Sequence, residues 1–206
     1  MEITSIQQLN KLKSCDYDKV TKISLKSFYG KKIDEVPMYI GFFDNLESLN
    51  LSWNQFTMLP DSIGYLVKLK SLDLSFNSLR ELPESIKFLV NLQSLILSYS
   101  GLTRLPESIG SLVKLKLLHL MSVNSHMYDS LKLPDSFYKI SRHCYIKTNS
   151  EALLNNLPNN LEYLCFEELE LPLTNLPSSL IELRLKNCKI KENIIKLPYG
   201  CNLIRI

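Results

Sequence analysis

Glycine is scarce, with six in 206 residues. So few argue against a glycine-rich nucleotide-binding fold, whose phosphate-cradling turns need that residue. There are three histidines, His119, His126 and His143, and no H-E-x-x-H, G-x-S-x-G or P-loop pattern. The familiar spacings of metallopeptidases, serine hydrolases and nucleotide hydrolases are therefore missing. The five cysteines, Cys15, Cys144, Cys165, Cys188 and Cys201, are an odd and scattered set without C-x-x-C. They suit neither a disulfide framework nor a zinc site, and reduced thiols in the cytoplasm are the expectation. No metal and no cofactor is expected. No run approaches the ~18 apolar residues of a membrane span, and Met1 to Cys15 lacks the apolar stretch of a secretory signal. Asn50-Leu51-Ser52 matches a glycosylation sequon, which without such a signal is read as chance. A net charge of +3, spread over the chain, does not call for nucleic acid. With 45% hydrophobic and 22% charged residues, wholesale disorder is excluded.

What the chain has in excess is leucine, and its spacing is regular. Leu-Pro or Val-Pro pairs stand at Pro37, Pro60, Pro83, Pro106, Pro134, Pro158, Pro177 and Pro198, with successive intervals of 23, 23, 23, 28, 24, 19 and 21. Each period reads L-x-x-L-x-L-x-x-N-x-L-x-x-L-P. One clean copy runs Leu46, Leu49, Leu51, Asn54, Phe56, Leu59, and the next Leu69, Leu72, Leu74, Asn77, Leu79, Leu82. The alternating x-L-x-L-x stretch predicts a short strand with leucines inward. The Asn falls where the chain turns, and its amide can satisfy buried backbone groups there. Beyond the proline, Ser62, Ser85 and Ser108 are expected to cap or begin a short helical turn. The turn position is Asn in only two units. It holds Phe28, Ser100, Val123, Glu151, Leu169 and Cys188 in the others, so those turns must be satisfied differently.

This pattern resembles the leucine-rich repeat superfamily. Residues Val36 to Leu120, with LPDSIGYLVKLKSLDLSFNSLRE and LPESIGSLVKLKLLHL, look like the plant intracellular Ras-group, animal Ras-scaffold and leptospiral types. The shorter units Leu157–Asn175 and Leu176–Lys196 resemble repeats of bacterial effectors, social amoebae and giant amoebal viruses. The resemblance implies an α/β repeat fold, a curved solenoid with short parallel strands on the concave face and short helical or irregular segments on the convex face. It also implies a non-enzymatic, cytoplasmic scaffold for protein–protein interaction in signalling. The alternative is an effector or regulatory module, acting in a host cytoplasm on signalling or ubiquitin components through the C-terminal repeats and the 122–132 loop.

The expected organisation is a cap over 1–19, helical from the spacing of Ile6, Leu9 and Leu12 with Thr4 or Ser5 as N-cap, then one repeat domain over 20–206. That domain holds about eight repeats, regular to 121, with an insertion at 122–132 and shorter units over 133–206. In the last unit Cys201, Ile204 and Ile206 are expected inward, leaving a monomer or a weakly edge-paired dimer.

Outward positions then form columns. Between the strand leucines stand Ser24, Asn50, Asp73, Ile96, His119, Lys147, Cys165, Arg184 and Arg205. The next column carries Lys26, Ser52, Ser75, Ser98, Met121, Asn149, Glu167 and Lys186. Beyond it lie Ser27, Trp53, Phe76, Tyr99, Ser122, Ser150, Glu168 and Asn187. Trp53, Phe76 and Tyr99, spaced by 23, are the expected partner-binding stripe together with Asn50, Asp73, Ile96 and His119, and the neighbouring serines are expected to leave the rings accessible. Stacked aromatics that merely cover the ladder edge are the competing reading. A second polar patch comprises Lys147, Glu167, Arg184 and Lys186. A hydrolytic pair of His119 and Cys165 on neighbouring strands is weighed and set aside, because no second histidine accompanies them and lysine intervenes.

Overall fold

The computed structural model describes residues 1–27, 32–102, 104–120, 133–141, 144–148, 151–191 and 195–206, without the side chains of Ser141, Lys147 and Ala152. Phe28, Met121, the 122–132 insertion, His143, Asn149 and Ser150 lie outside the described residues.

Ten strands, each two to five residues long, pair side by side in chain order: β1 Glu2–Ile3, β2 Lys22–Ser24, β3 Ser48–Asn50, β4 Ser71–Asp73, β5 Ser94–Ile96, β6 Leu117–Leu120, β7 Tyr145–Thr148, β8 Tyr163–Glu167, β9 Glu182–Lys186 and β10 Asn202–Arg205. Every pairing is parallel. Each strand must therefore return to its start over the far side, and the return arc buries what one repeat cannot bury alone. The inward leucines line up strand to strand: Leu49, Leu72, Leu95 and Leu118 sit opposite one another in register, all 0–1% exposed. Phe43, Phe56, Phe137 and Phe166 fill the same continuous core.

The return arcs carry 3₁₀ turns at Met38–Phe42, Asp61–Tyr65, Glu84–Phe88, Glu107–Ser111 and Asp135–Phe137. Each starts just after a proline whose φ near −65° suits a helix start. Ser62, Ser85 and Ser108 do not cap these turns. Proline holds the cap position without a side-chain bond, and the three serine hydroxyls are buried with no hydrogen-bond partner among the described residues. The close packing of the arcs rests on glycine: a Cβ on Gly41 would lie 2.5 Å from the Ser62 carbonyl oxygen, and one on Gly64 2.7 Å from that of Ser85.

At the N-terminus the helix α1, Ile6–Lys11, has Ser5 as N-cap, its hydroxyl accepting from Gln8 N at 3.2 Å, and buries Leu9. A 3₁₀ turn, Ser14–Lys19, follows. Ahead of them β1 extends the sheet by one strand, which the repeat spacing does not foretell. In the later repeats the arcs hold α2, Tyr138–Ser141, and α3, Glu151–Asn155.

Candidate partner-binding surface

The turn that follows each strand is built from asparagine chemistry. The Asn77 amide nitrogen donates to the carbonyls of Leu51, Leu74 and Ser75 at 3.0, 2.9 and 3.2 Å, and its oxygen accepts from Phe56 N at 3.1 Å. Asn54 repeats the pattern one unit earlier, on Leu25, Leu51, Ser52 and Ile33 N. Where the sequence replaces Asn, a smaller donor takes part of the load. Ser100 Oγ donates to Leu97 O. The Cys188 thiol lies 3.4 Å from Lys186 O and 3.7 Å from Phe166 O, and accepts from Leu169 N at 3.3 Å. Burial raises the Cys188 thiol pKa, keeping it a thiol that can donate.

One residue before that position the backbone enters the left-handed region. The φ angles are 61° at Trp53, 55° at Phe76, 57° at Tyr99, 54° at Glu168 and 53° at Asn187. Only asparagine among these visits the region readily, and a bulky residue there costs roughly 1–2 kcal/mol. The left-handed turn aims Trp53 N at Ser75 O and Phe76 N at Ser98 O, at 3.0 and 2.9 Å, so each unit is bonded to the next. It also swings the three rings into one stack. Trp53 and Phe76 lie 3.8 Å apart between centroids at 13°, and Phe76 and Tyr99 4.4 Å apart at 37°. Both faces of Phe76 and one face each of Trp53 and Tyr99 are used within the stack, and all three side chains are half-buried. Stacking of this kind contributes roughly 0.5–1.5 kcal/mol per pair, close to the cost of the turn.

Beside the stack, Ser48, Ser71 and Ser94 pair in register, as do Asn50, Asp73, Ile96 and His119. Asp73 Oδ2 accepts from the Asn50 amide at 3.3 Å, while its Oδ1 accepts from Ser75 N and Ser75 Oγ at 3.0 and 2.6 Å. Asn50 Oδ1 holds Ser52 in the same way. These bonds draw Ser52 and Ser75 into burial, and Ser98 lies equally deep, all three 1–6% exposed. They do not flank the rings at the surface as the column reading expects.

The C-terminal columns need correcting. Tyr145 lies opposite Cys165 and Ile146 opposite Phe166, which sets Lys147 level with Glu167 and not with Cys165. In the same frame Glu167 faces Lys186 and Cys165 faces Arg184. The charges there neutralise one another: Lys186 Nζ is 2.7 Å from Glu167 Oε1, and Arg184 Nε 2.7 Å from Glu182 Oε1. Each carboxylate hydrogen bond holds its cation above the ordinary value. Lys186 also lies 5.5 Å over the Tyr145 ring. Cys165 is buried, and desolvation pushes its thiol up to about 11, the opposite of an activated nucleophile. It belongs to the Tyr145 column, away from His119. In β10, Leu203 and Arg205 sit opposite the inward Leu183 and Leu185. The expected inward Ile204 and Ile206 therefore do not face in: Ile204 pairs with Arg184, and Ile206 is 65% exposed.

Among the described residues no group of three metal-ligating side chains comes together, and no helix is long and apolar enough to cross a membrane. Sequence reasoning overlooked one further surface, on the outer face. Phe42, Tyr65 and Phe88 close successive 3₁₀ turns and are exposed, as are Val67, Val90 and Val113. Their spacing of 23 in the sequence is the signal that could have found them.

The leucine rich repeat family model matches residues 44–102. No curated protein matches the chain. Among solved structures, the leucine-rich repeat domain of the type III effector XopL is 26% identical, with a TM-score of 0.61 over 94% of this chain and 71% of that one. An internalin from Listeria monocytogenes is 19% identical, with a TM-score of 0.53, over 97% of this chain and 66% of that one. The ectodomain of the Arabidopsis thaliana receptor kinase GASSHO1/SCHENGEN3, solved with CASPARIAN STRIP INTEGRITY FACTOR 2, is 20% identical, with a TM-score of 0.62. This chain is covered entirely in that match and spans a quarter of that ectodomain. With the repeat in its sequence and the solenoid in its strands, the chain has the leucine-rich repeat fold, and its residues 44–102 match that family.

Proposed function

We propose that the chain is a non-enzymatic scaffold that binds a partner protein on its concave strand face. The observation that carries this reading is the surface of β3 to β5. Ser48, Ser71, Ser94, Asn50 and Ile96 offer an uncharged, hydrogen-bonding ground around one carboxylate, Asp73, with the rings of Trp53, Phe76 and Tyr99 along its rim. His119 continues the column on β6. An open face of short side chains suits an extended contact with another macromolecule better than enclosure of a reacting small molecule. All five cysteines are free thiols, which favours a reducing, intracellular setting. The paired charges of Glu167, Arg184 and Lys186 make the C-terminal patch a support for the sheet more than a steering site.

Affinity capture with quantitative mass spectrometry, comparing the native chain with Trp53→Ala/Phe76→Ala and with Asp73→Lys, tests this. Loss of the same captured protein in both variants, with melting still cooperative, supports the site. Undiminished capture removes the strand face from it. A second reading, that of an effector module working through its C-terminal repeats and residues 122–132, is favoured by the likeness to the XopL domain. Deleting 122–132 separates the two, since only this second reading expects lost capture with unchanged melting.

A further inference from the structure

The outer face carries three parallel stripes, set by the order of residues within each return arc. First comes an acidic stripe, Asp61, Glu84, Glu107 and Asp135, each opening its 3₁₀ turn and each exposed. Next runs an apolar stripe of Phe42, Tyr65, Phe88, Val67, Val90 and Val113, between 45% and 64% exposed. Last comes a border that is basic in alternate arcs, with Lys68 and Lys70 in one and Lys114 and Lys116 in another, all exposed along the approach to the strands. Asn45 with Glu47 and Asn91 with Gln93 hold the same places in the other two arcs, and Lys70 pairs with Glu47 at 2.9 Å. Successive arcs pack directly. A Cβ on Gly41 would lie 3.0 Å from the Tyr65 ring, and one on Gly64 3.1 Å from the Phe88 ring, so each ring rests by one side over the glycine before it. Where lysine, Lys87, takes the glycine position, the next arc carries Ser111 in place of a ring. The apolar stripe thus runs over the arcs from Phe42 to Val90, with the Lys87 ammonium 5.2 Å over the Phe88 ring at its end, and Val113 extends it.

We propose that this outer face is the dimerisation surface of the chain and that its occupant is a second copy. The charge order selects that partner. Consider two copies set face to face and related by a two-fold axis running along the solenoid through the apolar stripe. The acidic stripe of each then lies on the basic border of the other, while the aromatic and valine side chains bury one another. A two-fold axis across the solenoid would bring acid onto acid and base onto base. One of the two arrangements is therefore attractive along both borders and the other repulsive along both. Exposed rings at the centre of a patch with charge at its margins have the composition of a protein interface. The strand face stays open in this dimer, so it stands or falls independently of the concave site.

Sedimentation velocity on the full chain, from micromolar to millimolar concentration, tests the proposal with two charge variants. One is Lys68→Glu/Lys114→Glu, and the other Asp61→Lys/Glu107→Lys, since this axis sets each arc against the same arc of the partner. The native chain is expected to dimerise. Each variant alone is expected to be a monomer with an unchanged circular dichroism spectrum, and an equimolar mixture of the two is expected to regain the dimer. Tyr65→Ser/Phe88→Ser is expected to weaken association on the order of a hundred-fold or more, since each anchor is used twice. A native chain that stays monomeric throughout overturns the proposal. So does a dimer indifferent to these variants, which would assign association to a sheet edge. Monomeric binding to vesicles of anionic phospholipid would assign the stripe to a membrane surface and overturn it equally.

Discussion

Asn77 is the sharpest place to test how the turns are held. Its side chain is buried and makes four hydrogen bonds, but they are not equally replaceable. If Asn77 becomes alanine, Leu51 O keeps the amide of Asn54, and Ser75 O keeps Trp53 N. Phe56 N and Leu74 O lose the bonds that Asn77 supplies. Two stranded backbone groups at roughly 1–3 kcal/mol each put the cost of Asn77→Ala at about 2–6 kcal/mol. Asn77→Asp is the companion variant, nearly identical in shape but unable to donate. It leaves Phe56 N satisfied and sets a carboxylate against three carbonyl oxygens. It is expected to cost at least as much near neutral pH, and less as the pH falls and the carboxyl is protonated, because its folded-state pKa must lie above the unfolded value. Equilibrium urea unfolding, followed by circular dichroism for the whole array and by fluorescence of the sole tryptophan, Trp53, reads both scales. That indole is stacked on Phe76, the residue before Asn77. If Asn77→Ala stays within about 1 kcal/mol of the native chain, solvent satisfies the turn, and the asparagine amide is not what holds the ladder.

Three further outcomes follow from the same geometry. Phe76→Asn exchanges two ring contacts for a residue at ease in the left-handed region, so the loss is expected to stay near about 1–2 kcal/mol. Phe56→Ala in the core should cost about 3–5 kcal/mol, and equal losses in urea titrations would make the stack as structural as the core. Gly64→Ala drives a Cβ to 2.7 Å from the Ser85 carbonyl oxygen and should lower the melting midpoint by the equivalent of about 2 kcal/mol or more. Gly200→Ala, with φ of +78° and open space around it, should cost about 1 kcal/mol. Buried Cys165, its thiol raised to about 11, should alkylate far more slowly than exposed Cys15 at mildly alkaline pH, as peptide mass spectrometry would show. A raised folded value means that the Cys165 contribution to stability is whole below the ordinary thiol value of 9.0 and is lost as pH climbs toward about 11.

The period of 23 is enough to find the strands β3 to β6 and the columns they carry, because alternation with one buried side fixes which residue faces in. The same rule explains where sequence reading strays. A register displaced by two residues keeps every leucine inward, so pattern alone could not separate Lys147 beside Cys165 from Lys147 beside Glu167, and only the pairing of Tyr145 with Cys165 decides it. In β10 the apolar run Leu203-Ile204 followed by Ile206 offers no alternation to choose by, and pairing with β9 turns Leu203 inward. The left-handed turn at Trp53, Phe76 and Tyr99 is hidden for another reason. Aromatic residues are among the last to be expected there, and only the bonds to the next unit and the ring stack make it tolerable. The outer stripes are written at the same period, but exposed side chains obey no burial rule that would draw attention to them.

The distances along the chain between facing residues vary widely within this one sheet: Lys22 faces Ser48, Ser48 faces Ser71, Leu117 faces Tyr145 and Tyr163 faces Glu182. Hydrogen bonding between strands constrains the strand and is indifferent to the length of the arc that returns to it. Heritable change in the two faces is thereby uncoupled. Insertions and deletions can rewrite the outer arcs of a lineage while the strand face keeps its frame. Substitutions on the strand face leave the length of the arcs behind it unchanged. A gene for such a chain can explore two surfaces at separate rates, and recombination between repeats of unequal length still yields a sheet that closes its ladder.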